Sequence, residues 1–275
     1  MILFEKREKL RYTYGNSSWE EIVLDQSTAN SALLTEILDL GEQMLLRGAE
    51  VGRVEDTITR ILRAQGASRV DVFTITSSIV VTAHWPEGPV TQTRRISGIQ
   101  YDMTALTRLN ALSRDICSGR CAPDSIRRKL DEIAHGETYG FPLTVLFYGL
   151  TSLVFSLFFG GSLLDGMISA GVGMLLRLML RVLDRLQVPG VASTLLCAVI
   201  GGFFAHGLSH LGVPCAPDKV AIGNIMLLVP GIAMTNAIRD MFTGDTISGL
   251  LRFCESLLLS LALAWGFALP SALFL

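Results

Sequence analysis

Charge is scarce in this sequence, and its basic residues form no dense block. Only 17% of the 275 residues are charged and the net charge is −2, whereas soluble domains carry about 25% charged residues. A nucleic-acid-binding surface needs clustered lysine and arginine. The composition therefore argues against a nucleic-acid binder and favours a protein that lies partly in a membrane.

Motifs typical of enzymes and ATP-driven pumps are also missing. No GxxxxGK[ST] phosphate loop occurs, so a nucleotide-driven pump is disfavoured. The sequence contains no nucleophile elbow and no carboxylate pair beside an obvious base. The remaining nucleophile candidates form a hydroxyl cluster: Thr74, Thr76, Ser77 and Ser78. We interpret these residues as strand positions and expect no enzyme, with a membrane-bound hydrolase as the alternative.

Candidate metal-ligand sets are incomplete. Cys117 and Cys121 are four residues apart, as are His206 and His210, but a pair on one helix face supplies two ligands where zinc takes four. Neither pair has a second pair near it in the sequence. We therefore expect no metal and no cofactor, and the five cysteines indicate no disulfide framework.

Long apolar runs occupy the second half of the chain, and a spanning helix needs about 20 mostly apolar residues. Five segments qualify: about 141–160, 163–181, 189–211, 219–238 and 253–274. The predicted fold is an α-helical membrane protein with five transmembrane helices, preceded by a small cytosolic α+β domain. The predicted boundaries are a flexible leader over 1–27, the cytosolic domain over 28–140 and the membrane domain over 141–275.

The cytosolic half alternates between helical and strand patterns. Apolar residues repeat with a 3.6-residue period over 29–48 and again over 53–64, which predicts two helices. Residues 70–96 contain alternating runs on both sides of the turn PEGP, which predicts a hairpin. Two further helices fit 99–118 and 123–134, giving the order α-α-β-β-α-α.

Arginines set the expected orientation, because loops on the cytosolic side carry an excess of basic residues. The connections after the second and fourth spans are assigned these arginines: Arg177, Arg181, Arg185, Arg239 and Arg252. The segment 114–129 before the first span is also rich in arginine. The N-terminus is therefore expected in the cytosol and the C-terminus outside.

The fourth predicted span carries a break. Pro230 and Gly231 lie in mid-segment, and a proline inside a helix removes one backbone hydrogen bond and collides with the preceding turn. The freed backbone groups of a broken span must be satisfied by protein, water or a ligand, and transporters use such half-helix ends to bind charged groups. We expect a kinked or broken span, with Asn224 as a polar group inside it.

Polar and charged residues follow this break at helical spacing. Thr235 and Arg239 share one face, and Asn236 and Asp240 share the adjacent face. Arginine binds a carboxylate through two parallel hydrogen bonds, so Arg239 is a candidate for a substrate carboxylate. Asp240 and Asp245 are candidates to receive an ammonium group or a proton.

Two more charges complete the candidate pathway. Arg252 and Glu255 are three residues apart and are spaced to pair, and ionisable groups in a span are functional candidates because their burial is costly. The alternative is a charged loop whose arginines only fix the topology, in a membrane scaffold or regulatory subunit. That alternative explains Arg239 and Arg252 well. It explains the Pro230-Gly231 break, Asn224 and Glu255 less well.

Two separated stretches resemble the threonine/serine exporter family. The family's signature is similar to residues 230–255, PGIAMTNAIRDMFTGDTISGLLRFCE. Its N-terminal cytosolic segment resembles GAEVGRVEDTITRILRAQGA at 48–67, followed by VDVFTITSSIVVT. The resemblance covers about residue 28 to the end. It implies export of threonine, serine or, in some two-subunit members, succinate, driven by the proton gradient across the bacterial cytoplasmic membrane.

The same resemblance adds cytosolic candidates and a partner. Glu50, Arg53 and Glu55 lie in the family-like run and are expected to line a vestibule or bind a regulator, with a solvated helix face as the alternative. Full-length members join a half of this kind to a second membrane half. We therefore expect a second membrane subunit, shorter, with about five spans in the opposite orientation, which is a common transporter plan. The substrate, the coupling ion and any higher oligomer stay open.

Overall fold

The computed structural model describes residues 16–136 and 139–274 of the chain. These residues divide into two compact units. The N-terminal unit contains residues up to 136 together with 239–249, and the membrane unit contains the remaining residues up to 238 and from 250 onward. The segment 239–249 therefore belongs to the N-terminal unit although it follows the fourth predicted span.

The N-terminal unit combines helices with one antiparallel sheet. Its elements are α1 (Asn16–Leu46), α2 (Val51–Ala64), β1 (Arg69–Ile75), β2 (Ser78–Trp85), β3 (Gly88–Arg95), α3 (Met103–Cys117) and α4 (Ile126–Ala134). The strands are ordered β1-β2-β3. Helix α1 packs on β2 and β3, and α2 packs on β1, so both helices cover the sheet.

The predicted hairpin is corrected to three strands. The stretch read as one alternating strand reverses at Thr76 and Ser77, so that Ile75 pairs with Ser78. Serine and threonine are common in turns because their hydroxyls bond nearby backbone groups, and the alternation of apolar residues continues across the turn and hides it. Helix α1 also begins at Asn16, so residues 16–27 of the predicted leader are helical, whereas residues 1–15 lie outside the described residues.

The predicted inward faces of the first two helices are confirmed. The α1 face contains these buried residues: Leu34, Ile37, Leu38, Gly41 and Leu45. The α2 face contains Val54, Ile58, Ile61 and Leu62, each 0% exposed. Both faces join one hydrophobic core with Ile79, Val81 and Ala83 of the central strand. The 3.6-residue period therefore identified the surface that packs on the sheet.

The membrane unit is helical. Its elements are α5 (Phe141–Phe158), α6 (Leu163–Arg185), α7 (Gly190–His210), α8 (Pro217–Leu228), α9 (Gly231–Thr243) and α10 (Thr246–Leu273). The end of α9 and the start of α10 lie in the segment assigned to the N-terminal unit. Among the described residues, four helices are long and apolar enough to cross a membrane, and a fifth span results if α8 and α9 count as one.

Two of the predicted span boundaries move. Helix α10 begins at Thr246 rather than near 253, so Arg252 lies inside the helix and not in a connection. Helix α6 ends at Arg185 rather than near 181, so Arg177, Arg181 and Arg185 all lie inside the helix and not in a connection. The guanidinium carbon of Arg181 lies 3.8 Å from the centre of the Phe141 ring, a cation–π contact that ties the end of α6 to the start of α5.

Small residues let the membrane helices approach closely. Gly166, Ser169, Gly173, Gly201 and Gly202 are buried as the packed-bundle prediction requires, whereas Gly171 is exposed. A Cβ on Gly266 of α10 would lie 2.4 Å from Ala198 of α7, so the two helices are in direct backbone contact. Close approach of this kind supports helix association in lipid, where burial of apolar surface supplies little driving force.

Candidate functional site

The predicted helix break at Pro230 and Gly231 is confirmed. Helix α8 ends at Leu228 and α9 begins at Gly231, with a bend of 53° between them. Val229 is extended, with φ −62° and ψ 127°, which is the conformation favoured before a proline. Two helix ends therefore face each other across Val229 and Pro230: the electronegative C-terminal end of α8 and the electropositive N-terminal end of α9.

Asn224 lies one turn before this break, inside a polar cluster at the meeting of α5, α6 and α8. The Ser152 hydroxyl donates to Asn224 Oδ1 at 2.9 Å. Asn224 Nδ2 donates to the Ser169 hydroxyl at 3.1 Å and to the Val220 carbonyl at 2.8 Å. Ser152, Ser169 and Asn224 are each 0% exposed. Each helix therefore contributes one polar side chain to a buried network, which we name the Ser-Ser-Asn cluster.

Gly223 makes this cluster possible. A Cβ at this position would lie 2.5 Å from the Ser169 hydroxyl and 2.6 Å from the Ser152 carbonyl oxygen. Only glycine therefore lets α8 come close enough for Asn224 to reach both serines. Ser156, one turn beyond Ser152, is also 0% exposed, and its hydroxyl forms no hydrogen bond within the described part of the chain.

A second set of hydrogen bonds joins the start of α6 to the loop before α8. The buried Asp165 carboxylate accepts from the Ser162 hydroxyl and backbone N–H and from the Ala216 N–H, each at 2.7 Å. Ser162 and Asp165 form a capping box at the N-terminus of α6. The Ser-x-x-Asp spacing is the sequence signal of this cap.

Two of the predicted site residues, Thr235 and Asn236, follow the break on adjacent faces of α9. Thr235 is exposed and donates its hydroxyl to the Gly231 carbonyl one turn earlier, at 3.0 Å. Asn236 is half-buried. The Thr235 hydroxyl is therefore engaged with its own helix, in the first turn after the break.

Arg239, near the end of α9, contacts a predicted candidate of the N-terminal unit. Arg239 Nη1 donates to Glu50 Oε1 in an ion pair. Glu50 is the N-cap residue of α2, and the Arg239 side chain is 56% exposed. The sequence placed Arg239 on a substrate pathway, and the structure gives it a carboxylate partner from the chain itself. Arg53, the neighbouring candidate, is exposed on α2.

A pair of carboxyl groups lies next to this ion pair. Asp245 Oδ2 lies 2.9 Å from the place that a Cβ on Gly52 would occupy, against the first turn of α2. Glu55, three residues after Gly52 on the same helix, accepts from the Thr74 backbone N–H at 2.7 Å. Burial raises the pKa of the Glu55 carboxyl, and the charge of Asp245 raises it further, while the Thr74 N–H opposes the shift.

Thr74 connects the segment 239–249 to the open edge of the sheet. Its carbonyl accepts from the Ser248 hydroxyl at 3.4 Å, while its N–H donates to Glu55. Thr74 is 4% exposed and Ser248 is 2% exposed. Both backbone groups of Thr74 are thus satisfied, although β1 is an edge strand whose outer side is not paired with another strand.

Three remaining charges differ in burial. Asp240 is 1% exposed, and Arg252 is 2% exposed. Glu255 is exposed on α10, so the pairing of Arg252 with Glu255 stays a prediction. A buried arginine and a buried aspartate are costly to desolvate, which makes both positions sensitive to substitution.

The candidate metal pairs gain no further ligands. Within residues 16–136 and 139–274, no group of three or more His, Cys, Asp or Glu side chains is placed to hold a metal ion. The His210 ring instead lies 5.5 Å from the Phe274 ring, centre to centre. Cys121 is buried in the core of the N-terminal unit.

Several known proteins are similar to this chain in sequence. The chain is 23% identical over 190 residues to the threonine/serine exporter of Corynebacterium glutamicum, which covers 66% of this chain and 38% of that protein. It is 26% identical over 229 residues to the succinate transporter subunit YjjP of Klebsiella aerogenes, covering 81% of this chain and 86% of the relative. Pheromone-regulated membrane protein 10 of Candida albicans is 28% identical over 152 residues, 54% of this chain and 14% of that protein. No solved structure matches.

The match to a known family covers most of the chain. The sequence model of the threonine/serine exporter family, ThrE, matches residues 36–274. This is a family of transporters rather than enzymes, in agreement with the lack of catalytic motifs and with the apolar helices of the membrane unit. The chain is therefore a multi-pass membrane protein that belongs to the threonine/serine exporter family.

Proposed function

We propose that the chain is one subunit of a secondary exporter for small carboxylate-bearing metabolites, such as threonine, serine or a dicarboxylate such as succinate. The observation that carries this proposal is the 53° break between α8 and α9. The electropositive start of α9 attracts a substrate carboxylate, and the electronegative end of α8 attracts a cation. Because the break lies in a candidate span, a group bound there lies in the membrane.

The proposed substrate and ion pathway comprises these residues: Asn224, Pro230, Gly231, Thr235, Asn236, Arg239, Asp240, Asp245, Arg252 and Glu255. Three further candidates, Glu50, Arg53 and Glu55, are proposed to line a vestibule or to bind a regulator. The ion pair of Arg239 with Glu50 supports an exchange role for Arg239, because a carboxylate substrate competes with Glu50 for the same guanidinium.

The proposed exporter has a second subunit. The chain spans 86% of a relative described as a transporter subunit but only 38% of the Corynebacterium glutamicum exporter, which fits one half of a longer transport unit. We propose a shorter membrane partner of about five spans, inserted in the opposite orientation. In this arrangement the N-terminus is cytosolic, the C-terminus is outside and the proton gradient drives export.

Efflux measurements test the proposal. Cells producing the chain with and without its candidate partner are loaded with labelled serine, threonine or succinate, and efflux is followed at defined external pH. We expect efflux of one substrate that needs both subunits, falls when the proton gradient is dissipated and drops about tenfold or more in Arg239→Ala. The control is Arg60→Ala, which removes an exposed ion pair with Asp56 on the same helix as Glu50.

Two outcomes would contradict part of this proposal. Unchanged flux in Arg239→Ala, with flux still dependent on the chain, would favour a scaffold or regulatory subunit. No efflux of any of the three substrates, in cells that contain both subunits in the membrane, would remove the proposed substrate class.

A further inference from the structure

Two polar contacts between the segment 239–249 and the rest of the N-terminal unit are weak. Arg239 forms a partly exposed ion pair with Glu50, and exposed pairs of this kind contribute about 0–1 kcal/mol. The Ser248 hydroxyl reaches the Thr74 carbonyl at 3.4 Å, near the upper limit of a hydrogen bond. These two contacts can therefore be exchanged for contacts with water at little cost.

Two carboxyl groups in this interface, those of Glu55 and Asp245, repel each other when both are ionised. The Asp245 carboxylate lies against the first turn of α2 at Gly52, on the helix face that also carries Glu55, where its charge bears on the Glu55 carboxyl. Strand β1 contributes the uncharged Thr74 at this place. Of the other charges on the segment, Arg239 is engaged with Glu50 and Asp240 is buried.

We propose that residues 239–249 form a latch that docks reversibly on the N-terminal unit, and that a proton on Glu55 keeps the latch docked. Without that proton, the Glu55 carboxylate is charged on the same face of α2 that Asp245 approaches, and the repulsion is relieved when the segment leaves. Only the effect of the latch on transport rests on the proposed function. The latch contains the end of α9, the second half of the broken span, so cytosolic protons would set the position of that half.

The sign of the pH dependence follows from the direction of the Glu55 shift. Burial and Asp245 raise the pKa of Glu55 above its ordinary value of 4.5 in the docked state, and undocking returns the carboxyl to solvent. The docked state therefore holds the proton more tightly. Docking is favoured at pH values below the ordinary glutamate pKa and is weakened as the pH rises through the raised pKa.

Thiol labelling of the full-length chain tests the latch. In a background with the five native cysteines replaced, Ser248→Cys puts a thiol at a position that is buried when the segment is docked. Its maleimide labelling rate is divided by that of Ser77→Cys, an exposed turn position, at each pH between about 5 and 8. The ratio removes the pH dependence of the thiol chemistry itself.

The expected result is a ratio that rises with pH in the parent. Glu55→Gln should keep the ratio low throughout, because the amide oxygen still accepts from Thr74 and carries no charge. The matched control is Glu132→Gln on α4, whose carboxylate is exposed and outside this interface.

A ratio that does not change with pH in the parent, or that rises equally in Glu55→Gln, would overturn the proposal. If Ser248→Cys does not fold, hydrogen exchange of residues 239–249 in the native chain gives the same comparison. Labelling needs no transport, so the two proposals fail separately. A pH-dependent ratio without efflux would remove the exporter and keep the latch, whereas efflux with a constant ratio would do the reverse.

Discussion

Gly223→Ala is a substitution that should weaken the packing of the membrane unit at the Ser-Ser-Asn cluster. The new methyl carbon would lie 2.5 Å from the Ser169 hydroxyl and 2.6 Å from the Ser152 carbonyl oxygen, whereas non-bonded atoms of this kind settle near 3.5 Å. Helix α8 must therefore retreat by about 1 Å. That displacement would stretch the bonds from Asn224 to the two serines beyond hydrogen-bonding distance.

The expected cost combines two losses and one gain. Overpacking of a tight interface costs about 1–3 kcal/mol, and interhelical hydrogen bonds in membrane proteins contribute about 0.6 kcal/mol each. Alanine in a helix offsets up to about 1 kcal/mol relative to glycine. We therefore expect Gly223→Ala to lower the free energy of unfolding by about 1–3 kcal/mol.

Unfolding by dodecyl sulfate in mixed micelles, followed by circular dichroism, measures this cost in the purified chain. Gly171→Ala is the matched control, because a Cβ at Gly171 meets no other atom within 4 Å and the same helix-propensity gain applies. Gly223→Ala should unfold at a lower detergent fraction than the parent, and Gly171→Ala at the same or a higher one. Equal midpoints for the two variants would refute the close contact of α8 with α5 and α6.

Other substitutions should separate weak contacts from strong ones. Arg239→Ala should lower the free energy of unfolding by less than about 1 kcal/mol, as Arg60→Ala should, because both remove exposed ion pairs; a larger loss would contradict the exposure of this pair. Asp165→Ala removes the acceptor of three hydrogen bonds and should cost about 1–3 kcal/mol in thermal unfolding in detergent. Gly66→Ala should cost about 1–2 kcal/mol through its positive φ, and Gly48→Ala should cost more because its methyl group also meets an aromatic ring.

Local patterns predicted the features that depend on neighbours in the chain. The buried faces of α1 and α2 follow from a 3.6-residue period, and the break after Leu228 follows from the backbone chemistry of Pro230. The start of α10 did not follow, because Arg252 and Glu255 were read as the edge of a span, whereas charged residues are compatible with the helix itself. Hydropathy measures the preference for lipid and does not mark where a helix ends.

The sequence did not predict which residues from distant parts of the chain contact each other. Ser152 and Asn224 are separated by 72 positions, and Arg239 and Glu50 by 189. Asn224 and Arg239 were candidates from their residue type and surroundings, and Glu50 was a candidate from the family resemblance, but no periodicity links them to their partners. Ser152 and Ser169 were missed as a pair, because small polar residues in a span are common and only the fold shows which ones meet.

These partners change what the candidate residues can do. A substrate-binding asparagine needs free hydrogen-bonding capacity, and Asn224 already uses its carbonyl oxygen and its amino group within the Ser-Ser-Asn cluster. A substrate that enters there must replace existing bonds, so binding and stability are coupled at this position. Asn224→Ala should therefore lower stability and transport together. Arg239 is 56% exposed, so its substitution should reduce transport with little loss of stability, and comparison of the two variants separates a residue that holds the bundle from one that meets the substrate.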